Sequence, residues 1–83
     1  MEIEFDPAKD AANIAKHGVS LARAAEMENV VVVEDGRYAE PRFRLYGVID
    51  DLPFCAAVTR RGLIVRIISL RRAHRKEYRR HGR

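Results

Sequence analysis

Apolar residues recur along this chain with two different periods, and the change falls near Asn29. Before it, EIEF (residues 2–5) alternates and predicts a short first strand. Asp6-Pro7 then opens a helix. The Asp6 carboxylate suits the free N–H groups of a first turn, and Pro7 loses no bond at the first helical position. Lys9 rather than Glu stands at the third helical position, so the reciprocal capping box is absent. The alanine-rich PAKDAANIAKH stops at Gly18, a residue suited to a left-handed C-terminal cap. Ser20 caps a second predicted helix, LARAAEME, with Leu21, Ala24 and Ala25 on one face. Such small residues on both helices imply close packing on something flat, most simply a sheet.

After Asn29 the period shortens to that of strands. VVVVE is a β-branched run, and EDGR is a turn signal. RFRLYGVI places Phe43, Leu45 and Ile49 on one face and Arg42, Arg44 and Tyr46 on the other. DDLP reads as a hairpin turn, FCAAVTR as a strand, RRG as a turn, and LIVRIISL as the most strand-like segment of all. RRAHRKEYRR has helical composition and closes the chain. The expected architecture is α+β: a short N-terminal strand, two helices, a four-stranded antiparallel sheet and a C-terminal helix, in one domain over residues 1–83. One face of such a sheet can be wet, and Arg42, Arg44 and Tyr46 make that face basic.

Charge sharpens this picture because it is local. The net charge is +4, yet residues 71–83 alone carry seven basic side chains against Glu77, a net of +6, and residues 1–70 sum to −2. Concentrated charge of this kind suits an anion-binding face or an acidic partner, while a solvated basic helix is the plainer reading. Cys55 is the only cysteine, which excludes an internal disulfide and fits a buried apolar side chain in a reduced, cytoplasmic protein. No stretch approaches a membrane span, and MEIEFD is not a signal peptide.

Several chemistries drop out. There is no Walker phosphate loop, dinucleotide GxGxxG or HExxH, and His17, His74 and His81 lack zinc-ligand spacing. The paired acids EDG and DD fall in turns, where solvated loop carboxylates are the usual explanation. No metal or cofactor is expected. What remains is cationic. Lys16-His17 at a helix end is explained either by the helix dipole or by a proton-transfer role for the imidazole. Arg42, Arg44, Arg66 and Arg71, on strands or just past one, must face water, an acid or a phosphate, with Glu40, Asp50 and Asp51 as possible cross-strand partners. Ser69 ends a strand beside Arg71, where a hydroxyl and a guanidinium can reach one phosphate.

Together FDPAKDAANIAKHGVSL, EDGRYAEPRFRLYG and VTRRGLIVRIISLRRAHRKEY resemble the BrnT toxins of bacterial type II toxin–antitoxin pairs, in order and over nearly the whole chain. The resemblance implies a RelE-like fold and a metal-independent endoribonuclease that arrests translation. It also implies neutralisation by a BrnA-type ribbon-helix-helix antitoxin in a heterotetramer that represses its own operon, with DNA contacts made by the antitoxin. Lys16, His17, Arg42, Ser69, Arg71 and Glu77 match family positions and become the expected catalytic set. In that reading His17 transfers protons beside Lys16, Arg42 and Arg71 clamp the phosphate, Ser69 orients it, and Glu77 holds an arginine. Arg44, Arg66, Arg72, Arg75 and Arg79 are the expected RNA-binding field, with Arg80 beside them. Two positions depart from the family pattern. Arg60 stands where an acidic residue is common, which removes a possible base, and His74 stands where a small hydroxyl residue is common. A noncatalytic nucleic-acid-binding module and a small basic subunit that folds onto an acidic partner are the rival readings.

Overall fold

Local signals place the first helix and non-local pairing completes the sheet. In the computed structural model, which describes residues 1–81, the elements run β1 (Ile3–Glu4), α1 (Pro7–His17), a 3-10 helix (Leu21–Glu26), β2 (Glu28–Asp35), β3 (Arg42–Ile49), β4 (Leu52–Arg61), β5 (Ile64–Arg72) and α2 (Arg75–His81). Arg83, counted above in the basic tail, lies outside the described residues. The Asp6 carboxylate accepts from the Ala8 N–H at 2.8 Å and Pro7 occupies the first turn. Gly18 closes α1 at φ 75°, its N–H donating to the Ile14 carbonyl at 2.8 Å.

The fold class is α+β, but the sheet differs from expectation. It has five strands in the order β1-β5-β4-β3-β2 and is mixed, because β1 runs parallel to β5 with Ile3 opposite Val65 and Glu4 opposite Arg66. A two-residue strand carries almost no periodic signal, and a parallel partner some sixty positions away leaves none. The second helix is also corrected. LARAAE winds with three residues per turn, so Leu21, Ala24 and Met27 recur on one buried stripe and Ala25 is exposed. The Ser20 hydroxyl does cap it, accepting from the Ala22 N–H at 3.1 Å.

The two sheet faces separate as the alternation demands. Leu45, Ile49, Phe54, Ala56, Val58, Ile67 and Leu70 meet Leu21, Ala24 and Met27 in the main core. On the other face Tyr46, Cys55 and Ala73 form a smaller cluster, with Val33 and Tyr78 packed against it. That face is therefore partly roofed by α2 rather than open to water. β5 also extends further than its apolar run, so Arg71 lies within the strand, opposite Cys55.

Three local features hold the frame. Asp50 and Asp51 adopt φ 52° and 63°, the paired left-handed conformation of a tight hairpin turn, which aspartate tolerates better than most residues. Gly47 admits the irregular start of β2: a Cβ there would stand 2.9 Å from the Glu28 carbonyl. Asn13, only 5% exposed on α1, clamps the edge of β5. Its Nδ2 donates to the Leu70 carbonyl at 2.8 Å and to the Val19 carbonyl at 2.9 Å, and its Oδ1 accepts from the Leu70 N–H at 3.1 Å. A helix side chain thus replaces the neighbouring strand that β1 is too short to provide.

The far edge is β2, whose Val30, Val31 and Val32 are exposed. Exposed acids at Glu28 and Glu34 bracket that run and set like charges against each other in self-pairing, a common protection for a bare edge. Among the described residues, no helix is long and apolar enough to cross a membrane.

Candidate active site

The polar face of the sheet gathers arginines because alternate positions of three adjacent strands share it. Arg44 on β3 lies opposite Ala57 on β4, which lies opposite Ser69 on β5. In the next row Tyr46, Cys55 and Arg71 are aligned the same way. Small side chains at Cys55 and Ala57 leave a hollow of about 220 Å³, lined by Arg42, Arg44, Ser69 and Arg71 and walled by Asp35, Arg37 and Tyr38. Asn13 grips Leu70, the residue between Ser69 and Arg71, so the clamp on the sheet edge also fixes the backbone from which both side chains project.

Glu77 organises one wall. Arg71 donates to it through both terminal nitrogens, Nη1 to Oε1 at 2.9 Å and Nη2 to Oε2 at 2.8 Å. The fully buried Tyr46 donates its hydroxyl to Glu77 Oε2 at 2.9 Å, and Arg44 Nη1 donates to that Tyr46 oxygen at 3.2 Å. The backbone N–H of His74, which precedes α2, donates to Glu77 Oε1 at 3.2 Å. This is half of a capping box; His74 lacks the hydroxyl that would complete it. The Arg71 guanidinium, with help from Tyr46 and the His74 N–H, holds the Glu77 carboxyl down to about 2. Burial pushes the Tyr46 phenol up, so it stays a donor, and burial likewise raises the Cys55 thiol. At neutral pH Glu77 is a fully engaged carboxylate and a poor proton acceptor.

Asp35 organises the opposite wall. EDG suggests a solvated turn acid, yet Asp35 is 7% exposed at the end of β2, across from Arg42. Arg37 chelates it through Nε at 3.0 Å and Nη2 at 2.8 Å, holding its carboxyl down to about 2. The turn bends the following arginine back onto the acid, which composition alone does not reveal. Tyr38 then presents its ring to Arg42, whose guanidinium carbon lies 4.1 Å from the ring centre, a cation–π arrangement.

Two donors on the residues that line this hollow are unsatisfied: Nε of Arg42 and Nε of Arg44 are both buried and neither makes a hydrogen bond. Arg44 Nε has Asp35 Oδ2 only at 3.8 Å. Buried N–H groups of charged side chains are normally paired, and an anion in the hollow would supply the missing acceptor once either guanidinium turns toward it.

The structure does not bring every expected residue here. Lys16 and His17 are exposed on the last turn of α1, do not line the hollow, and make no hydrogen bond or ion pair with its residues. Arg66 lies on β5 and pairs with Glu4 at 3.0 Å; Arg72, Arg75 and Arg79 are exposed around α2. Asp50 pairs with Arg23 at 2.7 Å instead of a strand arginine. Tyr46 and His81 were not among the candidates. Tyr46 is signalled by its place two residues after Arg44, but its Glu77 partner is 31 positions away. The His81 ring stacks on Tyr46 at 5.1 Å, and no spacing rule announces it. Among the described residues, no three His, Cys, Asp or Glu side chains cluster as a metal site.

Comparison with known proteins decides the family. The profile described as "Ribonuclease toxin, BrnT, of type II toxin-antitoxin system" matches residues 5–77. The chain belongs to the BrnT toxin family. Its fold is similar to the 1.1 Å crystal structure of the Brucella abortus ribonuclease toxin, BrnT, with a TM-score of 0.72 and 26% identity, covering 90% of this chain and 99% of that one. No curated protein matches. The BrnT match ends at Glu77, so it takes in the arginine hollow and stops before His81.

The two depressed carboxyls give the acid response a sign. Glu77 and Asp35 titrate near 2 in the folded chain and near 4 when unfolded, so their pairing stabilises the fold above about pH 5 and is lost as pH falls toward 2. Melting followed by circular dichroism should show the midpoint dropping across that window. Glu77→Gln should melt lower at pH 7 and drop less between pH 5 and pH 2. An equal drop in wild type and variant would remove Glu77 from this role.

Proposed function

We propose that the chain is a metal-independent endoribonuclease toxin that holds one RNA phosphodiester in the hollow formed by Arg42, Arg44, Ser69 and Arg71. The observation that carries this reading is the pair of buried, unpartnered Nε–H groups on Arg42 and Arg44. RNA brings its own nucleophile, the 2′-hydroxyl, so cleavage needs little beyond stabilisation of the charge that builds on phosphorus. Preorganised cations in a partly desolvated site supply that term, and it is often the largest one. Arg42, Arg44 and Arg71 stabilise the phosphorane, Ser69 orients it, and Glu77 positions Arg71. In this reading Lys16 and His17, which lie outside the hollow, are beyond hydrogen-bond reach of that phosphate, and solvent carries the protons of the cleavage step.

Family membership supports an antitoxin partner. We assign it to a BrnA-like ribbon-helix-helix chain in a heterotetramer that represses its own operon, the antitoxin making the DNA contacts. We take the fold to be RelE-like and the ribonuclease to arrest translation in the cytoplasm. Arg66, Arg72, Arg75 and Arg79 form the surrounding field that attracts RNA without reading its sequence.

The position of Lys16 and His17 outside the hollow favours a second reading, a noncatalytic RNA binder. Purified chain incubated with RNA in excess EDTA separates the two. Cleavage to shorter products is expected; retention of intact RNA on the protein would establish the binder and end the toxin-nuclease reading.

A further inference from the structure

We infer that a second phosphate of the same RNA strand is held in the wide cleft next to the arginine hollow, by Lys9 and Arg60 with Arg61 and Arg66, so that the strand leaves the hollow in one direction only. The inference rests on the RNA reading above and extends it to the path of the substrate. One end of the polar face is closed, because α2 packs over Tyr46, Cys55 and Ala73. Toward the other end the floor stays low, through Ala57 to Thr59, which lies opposite Arg66. There a second cleft, of about 700 Å³, adjoins the hollow. Arg42 and Phe43 line both spaces, which makes them neighbours.

The cleft's charge matches a phosphate backbone. Lys9 reaches it from α1, Arg60 and Arg61 from the end of β4, and Arg66 from β5, with Arg42 at the junction and Glu40 on the rim. Glu4 takes up part of this charge, lying 3.0 Å from Arg66 and 3.6 Å from Arg61. Lys9 and Arg60 make no ion pair among the described residues; Arg60 Nη2 reaches only the Gly62 carbonyl, at 3.4 Å. Two carboxylates against five cations leave a surplus that one phosphate in the hollow does not neutralise. A run of phosphates fits two adjoining cationic spaces better than an acidic protein segment does, because Arg42 lines both of them and a guanidinium fork matches phosphate oxygens.

The test uses a labelled 2′-O-methyl RNA hexamer, which lacks the nucleophile and cannot be cut, with binding read by fluorescence anisotropy over a salt series. Lys9→Ala and Arg60→Ala, both at exposed positions, should each weaken binding about five- to tenfold. Each should also flatten the log affinity against log salt slope by about 0.7, the value for one phosphate contact on a single strand. Arg60→Glu should weaken binding further. Wild-type affinity and slope in all three variants would overturn the inference, and that is also what a cleft built for an acidic protein segment would give. The outcome is separable from the nuclease reading. Weakened variants with RNA left intact in EDTA keep the subsite and remove the enzyme; cleavage with unaltered variants does the reverse.

Discussion

Arg71→Ala should cut RNA about 10²- to 10³-fold more slowly than wild type, the usual cost of removing one preorganised donor from a charged transition state. Arg71 projects from β5 into the hollow, and its two terminal nitrogens are spoken for by Glu77, which fixes the plane of the guanidinium before substrate arrives. That fixed fork is why lysine should be a poor replacement: one ammonium nitrogen cannot meet both Glu77 oxygens with two parallel, coplanar bonds. The alanine variant has a second defect. It leaves the Glu77 carboxylate without its main partner, close to where phosphate negative charge must accumulate. Single-turnover cleavage, compared at saturating enzyme, reads the chemical step directly, and a parallel melting curve accounts for any loss of fold. A rate within threefold of wild type would remove Arg71 from the proposed machinery.

Asn13→Ala should cost the fold about 3 kcal/mol of stability, a fall in melting temperature of roughly 12–24 °C. Domains of this size are stable by only about 4–12 kcal/mol, so the loss is a large share. The cost does not come from packing, since the asparagine side chain is small. It comes from the Leu70 N–H and carbonyl, which are buried at the sheet edge and have no other partner once Asn13 is gone. Asn13→Asp isolates that cause. It keeps the volume, but replaces the amide donor with an oxygen facing the carbonyls of Leu70 and Val19. Both variants should therefore shift the urea midpoint by similar amounts. An Asn13→Asp protein within 0.5 kcal/mol of wild type would mean that the β5 edge does not depend on this clamp. Since Ser69 and Arg71 flank Leu70, the alanine variant, wherever it stays folded, should also lose cleavage.

What could be read in the sequence was whatever is settled within a few residues. Asp6, Pro7 and Gly18 set the ends of α1 by local hydrogen bonds and by one backbone conformation, so the helix is where its caps put it. The alternation in RFRLYGVI separates Phe43 and Leu45 from Arg42 and Arg44, and one turn at Asp50-Asp51 folds the next strand beside it. The misses share a different origin. Leu21, Ala24 and Ala25 fit an α-helical face on paper, and only the contact with the core decides for the three-residue period that buries Met27 instead. β1 depends on a partner at Val65 and Arg66. Asp35 is buried by a turn that returns Arg37 to it, and Glu77 meets Tyr46 across the sheet face. Lys16 and His17 show the converse. Adjacency in sequence at a helix end marks them as a pair, but it does not carry them into the arginine hollow.

Cleavage in this site requires one phosphate to bind among its arginines. A crystal structure of the chain with a 2′-O-methyl RNA oligonucleotide, which cannot be cleaved, tests this most directly. It should show one phosphodiester between Arg42, Arg44, Ser69 and Arg71, with oxygens about 2.7–2.9 Å from the two Nε atoms that now lack acceptors. RNA bound elsewhere on the surface, with both Nε–H groups still unpaired, would contradict it.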